Sequence, residues 1–491
     1  MTPPQPSAAP RGDDEHPLGV LLAPDILALL DEDPASVAAE TEELHAADLA
    51  DVAEAIPEDR LVTFLTALPP ARAADVLEYL DEGRRALALE GMSTRQAAAL
   101  VSEMTPDDRA DLLEELAEEN EERADEILAE IPEAARAETE RLLAYDPASA
   151  GGLMTTEFVS APETMTVEEA LRGVRAVART GRREAMYAIY TTDAQGRLQG
   201  VLSLRELLAA PEGGRLGDVA WTEVRAVGAD ATQEQVARLT SDYDLVAVPV
   251  VDAERRLLGV VTVDDVIDVI QEEQTEDVQK LGGMEALDEP YMQIGFGTMI
   301  RKRGGWLSVL FVGEMFTATA TAQFQGELER TVILALLMPL IISSGGNSGS
   351  QATSLIIRAM ALGEVKLRDW WRVAGRELAA GLALGTLLGV LGAGRIYLWQ
   401  VMHDRGVRVA GHALGYDYGP YHGRVALTIA LSVVGVVTFG SLTGSMLPFL
   451  LRRLGLDPAS ASAPFVATLV DVTGLVIYFS VALALLRGTL L

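Results

Sequence analysis

Cysteine is absent from the 491 residues, and histidine occurs only five times. The first absence removes disulfides and thiolate metal sites, without assigning a compartment. His16, His45, His403, His412 and His422 are scattered, with none at the HExxH spacing or in a triad context, which argues against an enzyme. No GxxxxGK[ST] run occurs, so nothing points to a P-loop ATPase. Positive charge is also scarce, with 39 Lys and Arg against 73 Asp and Glu. Nucleic-acid binding rests on clustered basic residues that displace counterions, so the composition argues against it and makes cations the expected partners.

The deficit is uneven. From Tyr291 onward there are 16 Lys and Arg against 10 Asp and Glu, leaving 23 against 63 ahead of it. An acidic soluble body is therefore joined to something chemically different. The opening "MTPPQPSAAPRGDDEHP" has no apolar core of signal-peptide length, which places the acidic half in the cytoplasm, and residues 1–20 are expected to be a disordered tail. Residues 21–145 are rich in Ala, Leu and Glu and are broken by Pro-acid turns. Val52, Val76 and Leu100 recur every 24 residues, as do Ile56, Leu80 and Met104. That period suits stacked helix pairs forming a short α-solenoid, with an irregular helical bundle as the alternative.

A second repeat follows. "GRLQGVLSLRELL" (196–208) aligns with "RRLLGVVTVDDVI" (255–267), pairing Gly200 with Gly259, Ser203 with Thr262 and Glu206 with Asp265. Each copy has a Thr-capped helix start, strand-like runs, a turn and a closing helix, so 146–210 and 211–270 read as tandem α/β units. The helix leaving the second copy carries Asp264, Asp265, Asp268, Glu272, Glu273, Glu276 and Asp277. Like charges one turn apart each cost about a few tenths of a kcal/mol, which solvent or bound cations must offset.

Five apolar segments then reach bilayer-spanning length, at about 304–324, 331–357, 374–402, 424–451 and 462–487. With the front half inside, the C-terminus falls outside. Ten basic residues then lie on the inner face, including Arg301, Lys302, Arg303, Arg452 and Arg453, against six outside. Gly381, Gly385 and Gly389 in the third span and Gly440 and Gly444 in the fourth read as packing faces. In the second span, "LLMPLIISSGGNSGSQATSL", Pro339, Gly345 and Gly346 are expected to weaken the helix, while Ser343, Ser344, Asn347 and Gln351 offer oxygens to a path. The last span holds one acid, Asp471, in "VATLVDVTGL". A mid-membrane carboxylate costs roughly 2.5 to 3.5 kcal/mol, so it is protonated and packed, paired, or turned toward a cation path. Its own helix has no Lys or Arg before Arg487, and Arg395 of the third span falls toward the outer end, which favours the cation path. The oxygen-only donor set suits a hard ion, and Mg²⁺ with its waters retained needs only one or two carboxylates.

With the linker "YDPASAGGLMT" before it, the α/β repeat resembles a CBS pair. The whole order, over roughly residues 25–487, resembles the MgtE family of magnesium channels. The resemblance implies a multidomain fold: an all-α solenoid-like N-domain (21–145), a tandem CBS pair, a connecting plug helix (271–300) and a five-span α-helical transmembrane pore domain (301–491). It implies a homodimer in the inner membrane whose second and fifth spans build a pore, with Asp471 and Asn347 lining it. It further implies passive Mg²⁺ influx, closed by internal Mg²⁺ on Asp265, Asp268, Glu273, Glu276 and Asp277, on Glu234 and Asp244, on Asp457, and on Asp107, Asp111 and Asp75. Mn²⁺, Co²⁺ and Ca²⁺ stay open as co-substrates. Ser203, Arg205 and Glu206 match a CBS position for ATP. Two rivals remain: an exchanger coupled to Na⁺ or H⁺, and a membrane-anchored nucleotide or ion sensor that transports nothing.

Overall fold

The computed structural model describes residues 18–179, 186–211, 213–287, 291, 294–409, 412–413 and 415–490. Residues 1–17 of the expected tail, with His16, lie outside the described residues, and a helix, Leu18–Glu32, already begins within its last three positions. The chain forms two compact units, Met1–Gln271 and Glu272–Leu491.

In the first unit the 24-residue period is a stack of helix pairs. Ala46–Ala55, Pro70–Glu78 and Thr94–Val101 open successive pairs, and Glu58–Ala67, Glu82–Gly91 and Pro106–Glu130 close them. Prolines sit at or just before helix starts, where a missing N–H costs nothing. The six repeat positions from Val52 to Met104 are all at most 8% exposed and belong to one core. Carbonyls left over at helix ends are collected by arginines from the next repeat. Arg84 donates to the Glu54 and Ile56 carbonyls, and Arg123 to those of Leu89 and Met92.

The 59-residue repeat appears as twin sheets. β1 (Val159–Pro162) runs parallel to β2 (Ile189–Thr192), which is antiparallel to β3 (Leu198–Leu202). β4 (Val227–Gly228), β5 (Ala247–Val251) and β6 (Leu257–Thr262) repeat the order. The aligned glycines are required by close approach. A Cβ on Gly200 would meet the Thr191 Oγ1 at 2.7 Å, and one on Gly259 the Thr155 carbonyl at 2.6 Å. The helix that follows β6, Val263–Leu281, is the connecting helix. It starts eight residues earlier than the sequence suggests and ends at Leu281, and the next helix among the described residues begins at Phe296.

The second unit holds five long helices: Phe296–Gln323, Val332–Ala361, Trp370–Asp404, His422–Arg453 and Ala463–Leu486. The last four are long and apolar enough to cross a membrane. The first is long but carries Glu314 near its middle. The expected weakening of the second helix does not occur, since it is continuous over 30 residues with Pro339 inside it. Its glycines instead allow backbone contact with the fourth helix. A Cβ on Gly440 would lie 2.3 Å from the Gly345 carbonyl oxygen, and one on Gly444 2.1 Å from that of Gly349. Thr353 Oγ1 donates to the Gly444 carbonyl at 2.9 Å, and the Ser348 and Ser441 hydroxyls meet at 2.7 Å. The third helix uses Gly381, Gly385 and Gly389 in the same way against Thr438, Val434 and Ala430.

This packing gives a direct test. Gly444→Val is expected to lower the melting temperature of the detergent-solubilised protein by several degrees, because overpacking costs about 1 to 3 kcal/mol. Gly394→Ala, with open space around it, should leave it unchanged. Equal melting of the two variants would contradict the close-packed interface.

Candidate cation sites

In the membrane unit, the first and fifth helices run side by side in parallel. The Trp306 indole donates to Ser462 Oγ at 3.1 Å, a Cβ on Gly313 would meet Thr468 at 2.8 Å, and the Phe324 and Phe479 rings stack at 4.5 Å. That register sets Glu314 beside Asp471, within electrostatic and hydrogen-bonding reach of its carboxyl. Among the described residues neither acid is paired with a Lys or Arg. Counting only basic residues as neighbours misses Glu314, although it carries the same signal as Asp471, one carboxylate in a long apolar run.

Asn347 is on a different helix. A Cβ on Gly346 would lie 3.6 Å from that of Ala467, and Asp471 lies one turn beyond Ala467, so Asn347 and Asp471 differ in level by about 6 to 8 Å. Opposite the glycine face, Ser343, Asn347, Gln351 and Ser354 form an exposed polar stripe along the second helix.

In the first unit a dense acidic group forms where the long helix Pro106–Glu130 meets the start of the connecting helix. Ala110 and Val266 share a core there. Asp107 is 4% exposed and its Oδ1 has no hydrogen-bond partner. Burial, then the Asp108 charge, pushes its carboxyl up to about 7. Burial, then Asp107 and Asp108, pushes Asp111 up to about 8, although its side chain retains solvent exposure. Burial and the Asp107 charge raise Asp265 well above the usual range, while the Thr262 N–H (3.3 Å) and hydroxyl (2.5 Å) donate to its Oδ2. Burial likewise raises Asp108 and Asp268, with Asp264 adding to both. Asp75 is exposed and borders this group through Tyr79. Arg85 attracts Asp108 and Asp111 but is itself bridged to Glu115 at 2.9 Å.

A second acidic group lies in the other unit, at the end of the connecting helix. Burial, then Asp457 and Glu273, pushes Asp277 up to about 6. Asp457 Oδ1 caps the turn Pro458–Ser460 by accepting from the Ala459 N–H at 2.8 Å. Its Oδ2 accepts from Lys280 Nζ at 2.6 Å, and Lys280 also pairs with Glu276. Burial disfavours the ammonium, but the bonds to Asp457 and Glu276 more than offset this and hold it above its usual range.

The remaining expected residues lie in the two α/β units. Glu234 and Asp244 occupy the first turn and the left-handed C-cap (φ 51°) of the helix Gln233–Tyr243, about 15 Å apart, too far to share an ion. Ser203 and Glu206 form a capping box, with 2.8 and 3.0 Å contacts to Glu206 Oε2, and the Trp221 indole donates to Oε1 at 2.5 Å. Both carboxylate oxygens already accept hydrogen bonds and Arg205 is exposed, so a ribose at Glu206 would share its carboxylate with the cap and the indole.

Among the described residues no three His, Asp or Glu are arranged to hold a metal ion together. The all-oxygen donors and the unsatisfied Asp107 oxygen still fit Mg²⁺, which is commonly held by one or two carboxylates with waters filling its octahedron.

An apolar, glycine-packed bundle with carboxylates at depth, preceded by an acidic CBS-bearing body, defines a membrane transporter of hard cations. The family model described as a divalent cation transporter, MgtE, matches residues 338–481; the MgtE intracellular N domain matches 44–148, and the CBS domain 150–213 and 216–272. The magnesium transporter MgtE of Thermus thermophilus is 45% identical over 353 residues, covering 72% of this chain and 73% of that protein. The Enterococcus faecalis transporter of the same name is 33% identical over 71% of this chain and 72% of its own. A solved cytosolic domain of the Mg²⁺ channel MgtE in complex with ATP covers 51% of this chain and 99% of its own at 38% identity, with a TM-score of 0.48. The chain belongs to the MgtE family.

The raised carboxyls have a definite pH consequence. Asp107 and Asp111 take up protons on folding between about pH 4 and their raised values near 7 and 8, so metal-free stability falls as pH rises through that window. In EDTA the whole protein should melt at a lower temperature at pH 8 than at pH 6, and Mg²⁺ should restore more of the loss at pH 8. A melting temperature that rises with pH in EDTA, or is indifferent to Mg²⁺ at pH 8, would be inconsistent with a cation-requiring group.

Proposed function

We propose that two copies of this chain form a pore for passive Mg²⁺ influx, closed when Mg²⁺ on the inner side binds the acidic groups. The observation that carries the transport reading is Asp471, deep in the apolar bundle beside a second acid and paired with no basic residue among those described. A carboxylate kept at that depth is expected to face a cation or water. The polar stripe on the second helix supports a partner copy, because exposed Ser, Asn and Gln side chains are costly in lipid but suit a shared aqueous path. Passive entry needs no ATP: a divalent ion crossing inward at about −100 mV gains about 4.6 kcal/mol. The distribution of Lys and Arg supports a cytoplasmic front half and an outer C-terminus.

Closure follows from the same electrostatics. Carboxylates crowded around Asp107 and Asp265 repel one another when ionised, and Mg²⁺ bridging them would hold the long helix and the connecting helix together. Low Mg²⁺ would leave that repulsion uncompensated.

In proteoliposomes, Asp471→Asn should reduce Mg²⁺ influx to the level of empty vesicles while eluting as an intact, inserted protein. Asn347→Ala should lower influx less, since amide oxygen contributes no charge. Wild-type influx in Asp471→Asn would remove that residue from the path. Flux that follows a Na⁺ or H⁺ gradient at clamped voltage would point instead to an exchanger.

A further inference from the structure

We infer that Lys280 is a tethered cation that occupies the Glu276–Asp277–Asp457 group and sets the Mg²⁺ concentration at which that group can take up metal. The inference rests on the proposed closure by Mg²⁺ and adds what opposes it. Lys280 Nζ lies 2.6 Å from Asp457 Oδ2 and pairs with Glu276 on its own helix, so one ammonium joins the connecting helix to the loop before the last membrane helix. An ammonium donates three hydrogen bonds and cannot ligate a metal, so a metal ion must compete with it for the same oxygens. The other Asp457 oxygen is already committed to the Ala459 N–H, which leaves Oδ2 as the contested one.

Packing fixes the lysine there. Leu281, the next residue, packs with Ile357, Ala459 and Ala461. Two residues further, Gly283 turns with φ +76°, and a Cβ there would lie 2.9 Å from Trp306 and 3.2 Å from Pro464. The Leu287 N–H donates to Gln279 Oε1 at 2.6 Å, closing the segment back on its helix. The lysine therefore bridges this junction without metal, and Mg²⁺ adds to it only by displacing the ammonium. A fixed positive charge about 4 Å from a divalent ion weakens its binding by roughly thirtyfold at water-like dielectric, and by on the order of tenfold with salt screening.

The test is Mg²⁺ influx into proteoliposomes over a series of inner-side Mg²⁺ concentrations, for wild type, Lys280→Gln and Lys280→Arg. Lys280→Gln should close at Mg²⁺ on the order of tenfold lower than wild type, with unchanged maximal influx in the absence of inner Mg²⁺. Lys280→Arg, which keeps the charge, should stay near wild type. Lys280→Met, keeping the aliphatic stem, gives the same readout if the Gln variant folds poorly. An unchanged or higher threshold in the neutral variants, while wild type closes normally, overturns the role of Lys280 alone. Wild type that does not close with inner Mg²⁺ overturns the closure reading and this inference with it.

Discussion

Two carboxylates a few ångströms apart, where water reaches poorly, repel each other strongly enough that one must take a proton or both must share a cation. Much of this chain is arranged around that constraint. Asp107 is buried with an unsatisfied oxygen, surrounded by Asp108, Asp111 and Asp265, and the arginines that attract these acids, Arg85 and Arg109, are bridged to Glu115 and Glu138. The acids sit on rigid supports: a helix of the stacked array, and a connecting helix anchored by the second CBS sheet. The repulsion therefore cannot be relieved by side-chain drift alone.

The membrane unit meets the same constraint in another solvent. Its helices approach through paired glycines, which brings polar backbone and hydroxyl groups into contact with each other rather than with lipid. Against that tightly packed frame, Glu314, Asp471 and the stripe from Ser343 to Ser354 stand out as polar groups outside the glycine contacts. In the proposed pore those groups would face a hydrated ion that needs few direct ligands.

Periodicity carried most of the architecture. The 24-residue and 59-residue repeats appear as stacked helix pairs and twin sheets, because each repeated apolar position or glycine meets the same kind of neighbour. What spacing could not show is which side chains meet across elements. The pair Gly345–Gly346 suggested a weakened helix from propensity alone, yet packing against the fourth helix overrides propensity. The Trp221 indole that donates to Glu206 lies 15 residues further along the chain, and spacing does not reveal it. Glu234 and Asp244 sit at opposite ends of one helix. Lys280 carried no signal in an acidic run, because its importance depends on Asp457, 177 residues away.

In the proposed closure, protons stand in for Mg²⁺ on the crowded carboxyls when the metal is absent. Calorimetric titration of the whole protein with Mg²⁺ near pH 7, repeated in buffers of different ionisation enthalpy, counts the protons released for each ion bound. Saturable binding is expected, with net proton release that shrinks toward pH 9, where the acids around Asp107 and Asp111 are already ionised. Binding without proton release, or no saturable binding, would contradict it.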